Sequence, residues 1–206
     1  MIPKLTTERL ILREIKSNDI FGYYELFSDP QSMKFYGGPT LANDLEYKDI
    51  VQSTKSENAE GIIYFWTITL KEEKEFIGFV RLMSYNSKYY DISFSAIGEY
   101  KFDHDFLKYF DNVNGWEIDY ALIKSKRCIG IMREAMGVVL EFCESKNLSP
   151  IYAKVGSLTN TASVNVLKHH SFIAHMQQIN KKLLEKYEIK TIIDNKEFGM
   201  IYKWTP

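Results

Sequence analysis

Cysteine is scarce in this chain. Cys128 and Cys143 are the only two among 206 residues, too few for a disulfide framework and wrongly spaced for a metal site. No apolar run is long enough to span a bilayer. The opening residues Met1–Thr7 carry no apolar signal core. No membrane is expected, and a reducing cytoplasm is the expected setting. An excess of either charge is also missing: 26 Lys+Arg against 27 Asp+Glu leave a formal net charge of -1. No global basic field points to nucleic acid. The four histidines, His104, His169, His170 and His175, lack metal-ligand spacing, so no metal is expected. Repeats and low-complexity tracts are absent. Neither G-x-x-x-x-G-K-S/T nor G-x-G-x-x-G occurs, which sets aside the phosphate loop and the dinucleotide fingerprint.

The remainder is the composition of an ordinary globular protein, 45% hydrophobic and 26% charged. The length suits one core, and residues 1–206 are expected to form a single domain. Tyrosine (14) and phenylalanine (13) are frequent, which speaks for cores and interfaces before chemistry.

Along the chain, Leu10–Arg13 reads as a strand, and Ser17-Asn18-Asp19 offers caps for a helix over Ile20–Phe27. Asp29-Pro30 should stop that helix, and Gly37-Gly38-Pro39 marks a turn. Leu41–Thr54 reads as a second helix. Ile62–Leu70 and Phe76–Leu82, separated by the polar run Lys71–Glu75, predict an antiparallel hairpin. Residues 85–115 read as an insertion with a strand at Asp91–Ile97 and a short helix near Phe102–Phe110. An extra strand there would offer an edge for a homodimer contact.

Trp116–Ile123 alternates cleanly, with Glu117 and Asp119 on one side and Ile118 and Tyr120 on the other. Gly130–Lys146 is amphipathic, with Met132, Ala135, Met136, Val139 and Cys143 on one face. A strand at Pro150–Val155, a helix at Thr159–His169, and strands at Phe172–Ile179 and Phe198–Trp204 complete the pattern. Alternating strands and helices in this half predict a mixed α/β sheet with helices packed on it.

Two segments carry chemistry. Lys124–Met132 turns an alternating strand into an amphipathic helix. Such a turn aims unpaired amides and the positive end of the helix dipole at one spot, which suits a pyrophosphate. Gly130 lets a ligand approach the backbone, and Lys126 and Arg127 add charge. The same residues would also make a plain basic turn. In the second segment, Asn160, Ser163 and Leu167 share a helical face beside Val166, part polar and part apolar, as a contact for a ligand of mixed character would be. Asn160 could equally cap the helix, with Ser163 bonding back to a carbonyl.

Arg127-Cys128-Ile129-Gly130-Ile131-Met132 resembles the signature Q/R-x-x-G-x-G/A of the GNAT superfamily of N-acetyltransferases, with Met132 in place of the last small residue. Arg133-Glu134-Ala135 resembles the Thr-Glu-Ala of its branch of ribosomal-protein N-terminal (alanine/serine) acetyltransferases. Asn160–Phe172 resembles that branch's N-x-x-S-x-x-V/L-L-x-K-x-G-F, with Lys168 one place early and Ser171 for Gly. Leu5–Arg13 is similar to the family's opening strand, Asp29-Pro30 through Gly37-Gly38 to its first helical turn region, and Glu117–Tyr120 to a further motif.

The resemblance implies a twisted, mostly antiparallel GNAT-type α+β sheet of about seven strands flanked by helices. It implies direct transfer of an acetyl group from acetyl-CoA to a primary amine, with a protein N-terminus as one acceptor. A small-molecule amine (a polyamine or an antibiotic) is another acceptor, and a non-catalytic acyl-CoA-binding module is the alternative of a different class. The implied coenzyme-binding residues are Leu122, Ile123, Arg127, Cys128, Ile129, Gly130, Ile131, Met132, Asn160 and Ser163. The strand at 116–123 should splay from a parallel neighbour, freeing main-chain groups near Leu122 and Ile123. Catalysis would fall to Glu117, Ser163 and Asn160: Glu117 ahead of Asp119 as proton acceptor, Ser163 as donor to the thiolate, with Tyr120 and Tyr152 as rival donors. Asp119 departs from the family's Gly. Cys128 is read as passive, because this transfer needs no acyl-enzyme.

Overall fold

The computed structural model describes residues 2–36, 44–84, 115–155, 159–174 and 200–206. Within them the chain builds one eight-stranded sheet. The strands are β1 (Leu5–Thr6), β2 (Leu10–Arg13), β3 (Ile63–Leu70), β4 (Gly78–Ser84), β5 (Trp116–Leu122), β6 (Ile151–Val155), β7 (Ile173–Ala174) and β8 (Met200–Trp204). Their order is β1-β2-β3-β4-β5-β6-β8-β7. Every neighbouring pair is antiparallel except β5 and β6, which run parallel. The strand beyond the expected seven is β1, a two-residue piece that folds back on β2 in the register Leu5↔Leu12. The expectations for residues 85–114, the Gly37-Gly38-Pro39 turn, His104 and His175 lie outside the described residues.

The helices are α1 (Ile20–Ser28), α2 (Pro30–Tyr36), α3 (Asp44–Glu60), α4 (Ile131–Ser145) and α5 (Thr161–His169). Adjacent strand residues point to opposite faces, and the aromatic residues use both. On one face Trp66 and Tyr64 meet Phe142 of α4 edge-on, at 5.3 and 5.2 Å between ring centroids. On the other, Phe65 stacks on Phe79 at 5.0 Å, and Phe79 meets Phe27 of α1 at 6.1 Å. Tyr23 then joins α1 to Tyr47 of α3. These aromatic residues are core material in two layers.

Two helices depart from the sequence expectation. Asp29-Pro30 stops α1 as expected, yet it also starts α2. Proline suits the first position of a helix, and Asp29 caps it by accepting from the Gln31 and Ser32 amides at 3.3 and 3.1 Å. Helix α3 runs on past Thr54 to Glu60 because its polar residues face inward. Thr54 and Asn58 are buried, and Asn58 Oδ1 accepts from the Phe65 amide at 2.9 Å. The helix ends at Gly61, whose φ of 71° closes a left-handed turn.

Gly22 permits the contact that seats α1 on the sheet. A Cβ there would stand 2.5 Å from the Phe76 carbonyl oxygen. Gly22→Ala should therefore destabilise the fold by about 1–3 kcal/mol, through overpacking against backbone that cannot retreat. Urea unfolding of the two proteins checks this, and equal midpoints would contradict the packing described.

Candidate active site

The sheet opens at its one parallel joint. Strand β5 pairs with β4 along its whole length, from Trp116↔Ser84 to Leu122↔Gly78. With β6 it pairs at Trp116↔Ile151 and Glu117↔Tyr152, and no further rung is formed among the described residues. Beyond Glu117 the two strands part, as the resemblance implied.

Tyr120 spans the gap. Its hydroxyl lies 2.8 Å from Ser163 Oγ in the first turn of α5 and 3.3 Å from the Ser163 carbonyl oxygen. Ser163 is placed by Asn160, whose side-chain oxygen accepts from the Ser163 amide at 3.2 Å as the cap of α5. Asn160 thus has the capping role its residue type favours, and the Ser163 hydroxyl meets a tyrosine. Burial pushes the Tyr120 phenol up to about 12, against the lowering effect of the Ser163 bond, so Tyr120 stays protonated at neutral pH.

The acidic pair lies on the other face of β5. Glu117 is paired with Lys154 of β6 at 2.8 Å. Tyr152 stands opposite Glu117 in the register, with the Lys203 ammonium 5.8 Å from its ring centre. Sequence left Tyr120 and Tyr152 equal as donors; the structure puts Tyr120 beside Ser163 and Tyr152 on the Glu117 side. Asp119 is held by Arg81 of β4 through two nitrogens. Burial raises the Asp119 carboxyl and the Arg81 charge opposes that rise.

At the end of β5 a short 3-10 turn, Lys124–Lys126, leads through Arg127–Gly130 into α4. The Lys126 and Arg127 amides are paired with the Ile123 and Lys124 carbonyls at 3.1 and 3.4 Å. From Cys128 to Arg133 the pattern changes. Cys128 and Gly130 take left-handed φ values of 62° and 84°. The amide of Glu134 is the one that returns to Gly130 O, at 3.1 Å. Among the described residues the amides of Cys128, Ile129, Gly130, Ile131, Met132 and Arg133 meet no acceptor. They form a row of donors at the positive end of a fifteen-residue helix.

Three expectations at this loop need correction. The Ile123 amide is already bonded to Ile77 O at 3.0 Å, and Leu122 O accepts from Arg127 Nε at 2.9 Å, so these two groups are not free. Arg127 does not supply loose positive charge. Its Nη2 binds Asp29 Oδ2 at 3.1 Å and the Ser32 hydroxyl, tying the loop to the start of α2. Lys126 is likewise committed, to Glu73 at 2.9 Å. For Ile123, Arg127 Nη2 and Lys126 the physical reason is shared: groups near a strand end find partners on neighbouring elements that local spacing does not reveal.

A residue that the sequence reading places only in the opening strand stands here instead. Arg9, in the turn between β1 and β2, binds Glu134 of α4 through Nε at 2.6 Å and through its amide at 2.9 Å. Its Nη1 donates to Ile129 O at 3.2 Å. The Thr7 hydroxyl also binds Glu134. Burial alone would raise the Glu134 carboxyl, but the bonds from Thr7 and Arg9 outweigh it and hold it below the usual range. No sequence signal links positions 125 residues apart.

Cys128 is exposed and Cys143 is buried in the core, its thiol pushed up to about 12 by burial. His170 lies with Nε2 2.9 Å from Arg133 O, packing α5 on α4. Among the described residues no three His, Cys, Asp or Glu side chains group to hold a metal, and no helix is long and apolar enough to cross a membrane.

Comparison with known proteins places this arrangement. The acetyltransferase of Agrobacterium tumefaciens aligns over 100% of this chain and 96% of its own, at 18% identity and a TM-score of 0.63. The ribosomal-protein-S5-alanine acetyltransferase of Vibrio fischeri aligns over 100% of both chains, at 17% identity and a TM-score of 0.63. Mycobacterium smegmatis RimJ, solved in complex with CoA-disulfide, aligns over 98% of this chain and 86% of its own, at 16% identity and a TM-score of 0.63. At such identities the likeness is one of fold. No curated protein matches the chain by sequence. The acetyltransferase (GNAT) domain family matches residues 9–173, from the turn at Arg9 to the start of β7. With that match across most of its length, the chain belongs to the GNAT family of acetyltransferases, whose members use acetyl-CoA.

Proposed function

We propose that this protein moves an acetyl group from acetyl-CoA directly to the α-amine of a protein N-terminus. The observation that carries the reading is the parting of β5 from β6, with Tyr120 and Ser163 across the gap and the row of unpaired amides at its end.

The residues fit the coenzyme. A diphosphate needs converging donors and room for close approach. The amides of Cys128–Arg133 provide the donors. Gly130 allows the left-handed turn at φ 84° and leaves no side chain over the backbone there. Cys128, Ile129, Gly130, Ile131 and Met132 would hold the diphosphate by main-chain amides. Leu122, Ile123, Asn160 and Ser163 would line the course of the pantetheine between β5 and α5. Arg127 would serve indirectly, by fixing the loop on α2.

Acetyl-CoA supplies the acetyl group as an activated thioester. The chain must remove a proton from the amine and return one to the sulfur. A gap in a sheet is open to both faces, so the two tasks can sit on opposite sides of β5. Glu117, on the Lys154 side, accepts the amine proton directly or through water. Ser163 donates from the other side, its hydroxyl held in place by Tyr120.

The acceptor follows from proton energetics. Deprotonating a lysine amine with a pKa of about 10.4 at neutral pH costs roughly 4–5 kcal/mol, whereas an α-amine near 7.7–8.0 costs about 1 kcal/mol. A site whose proposed base is a single side-chain carboxylate suits the amine that is cheaper to deprotonate. The Vibrio fischeri neighbour is a ribosomal-protein-S5-alanine acetyltransferase, which acts on a protein acceptor.

The test is release of CoA thiol with matched acceptors: a peptide with a free α-amine, the same peptide blocked at its N-terminus but carrying lysine, and a polyamine. The free α-amine is expected to turn over fastest by at least tenfold, a difference of about 1.4 kcal/mol in the barrier. Preference for the blocked peptide or the polyamine would overturn the acceptor. Coenzyme binding with no thiol release from any acceptor would make the protein a binding module.

A further inference from the structure

Resting on the coenzyme reading above, we propose that Arg9 is a coenzyme-binding residue, its guanidinium forming the wall of the diphosphate cradle opposite the amides of α4. The geometry fixes two of its three nitrogens. Nε is bound to Glu134 Oε2 at 2.6 Å, and Nη1 to Ile129 O at 3.2 Å. A guanidinium is planar, so two anchored edges set the direction of the third. That third nitrogen, Nη2, lies 3.4 Å from the point where a Cβ on Gly130 would stand. It therefore stands over the side of the glycine that a Cβ would occupy, on a side chain 45% exposed, and among the described residues nothing accepts from it.

Glu134 supplies the electrostatic reason for an arginine here. A carboxylate in the first turns of α4 would oppose an anion bound at the helix start. Both of its oxygens are taken up, Oε1 by Thr7 and the Arg9 amide, Oε2 by Arg9 Nε. Arg9 cancels that charge and still presents donors to the cradle. The loop's own cations do not replace it. Lys126 is paired with Glu73 and Arg127 with Asp29, while Lys124 is exposed on the preceding turn. A guanidinium is also the group best shaped for phosphate oxygens. The contact links the first strand turn of the chain to the binding of a ligand held by α4.

The experiment must separate a coenzyme contact from simple neutralisation of Glu134. Glu134→Gln removes the charge that Arg9 neutralises. In that background Arg9→Met removes the guanidinium without stranding a carboxylate. Calorimetric titration with CoA and with dephospho-CoA, which keeps the diphosphate but lacks the 3′-phosphate, reads the effect. The double variant is expected to bind both ligands about tenfold more weakly than Glu134→Gln alone. Arg9→Lys in the same background keeps a cation but loses the fork; it should lie between the two, and it serves if the methionine variant fails to fold. Equal affinity of the double variant and Glu134→Gln would overturn the proposal. So would a loss confined to CoA, which would place Arg9 at the 3′-phosphate. Failure of the wild-type protein to bind either ligand would instead remove the coenzyme reading itself.

Discussion

Replacing Gly130 by valine is expected to weaken CoA binding by at least fiftyfold while leaving a folded protein. Two effects combine. Gly130 sits at φ 84°, a conformation that costs a non-glycine residue about 1–2 kcal/mol and a β-branched one more. That strain falls on the loop and would appear as a small drop in melting temperature. The second effect is local to the ligand. The first added carbon would stand 3.4 Å from Arg9 Nη2, beside the unpaired amides of Cys128–Arg133 where a diphosphate would approach the backbone. Losing two or more charge-assisted hydrogen bonds of about 1.5–3 kcal/mol each accounts for the fiftyfold or greater loss. Calorimetry with CoA measures it, and thermal melting controls for folding. Gly130→Ala should fall between wild type and valine. An undiminished affinity in the valine variant would show that the diphosphate is held elsewhere.

Removal of the Ser163 hydroxyl should strike turnover and spare coenzyme binding. Ser163→Ala is expected to lower kcat by about a hundredfold, the usual scale for a lost proton donor, with the KM for acetyl-CoA within about threefold of wild type. Tyr120→Phe should lower kcat about tenfold, because its hydroxyl, 2.8 Å from Ser163 Oγ, orients the donor. The informative measurement is the double variant. If Tyr120 acts through Ser163, adding Tyr120→Phe to Ser163→Ala costs little more, since the group it orients is already gone. Fully multiplicative losses would mean that Tyr120 has an independent role. Burial holds the Tyr120 phenol near 12, so neither single variant should move the basic limb of the pH profile below pH 10.

The fold was legible wherever one period ran unbroken. Trp116–Leu122 alternates, and it is a strand of that span within one residue. Ile131–Ser145 buries Met132, Ala135, Met136, Val139 and Cys143, the face read from a 3.6-residue repeat. Asn160 as a cap and Gly130 at the head of a helix were legible too, because each acts on amides a few residues away. Elements with mixed cues were misread. Thr54 reads as the end of a helix, yet it is buried inside one that runs on to Glu60, where Asn58 has the Phe65 amide to bond. Asp29-Pro30 reads as a stop, and its second use as a start needed the cap geometry to show it.

The site divides along the same line. Asn160, Ser163 and Tyr120 come together at the start of α5, but the charged candidates Glu117 and Arg127 take partners far off in sequence. Arg127, which local spacing presents as loose positive charge, is tied to Asp29, 98 residues away. Arg9 was expected only as strand and instead faces Gly130 across Glu134.

What the sequence by itself determined is the local framework: an alternating strand, a turn of exposed amides, an amphipathic helix, a capped second helix, and the family to which these belong. The tertiary structure alone decided which cation faces the loop, which tyrosine meets Ser163, and where β5 leaves β6. Backbone periodicity and capping act over a few residues and are written in the order of the chain. Charges and hydroxyls pair with whatever the fold brings within 3 Å, and only the packed sheet determines those neighbours.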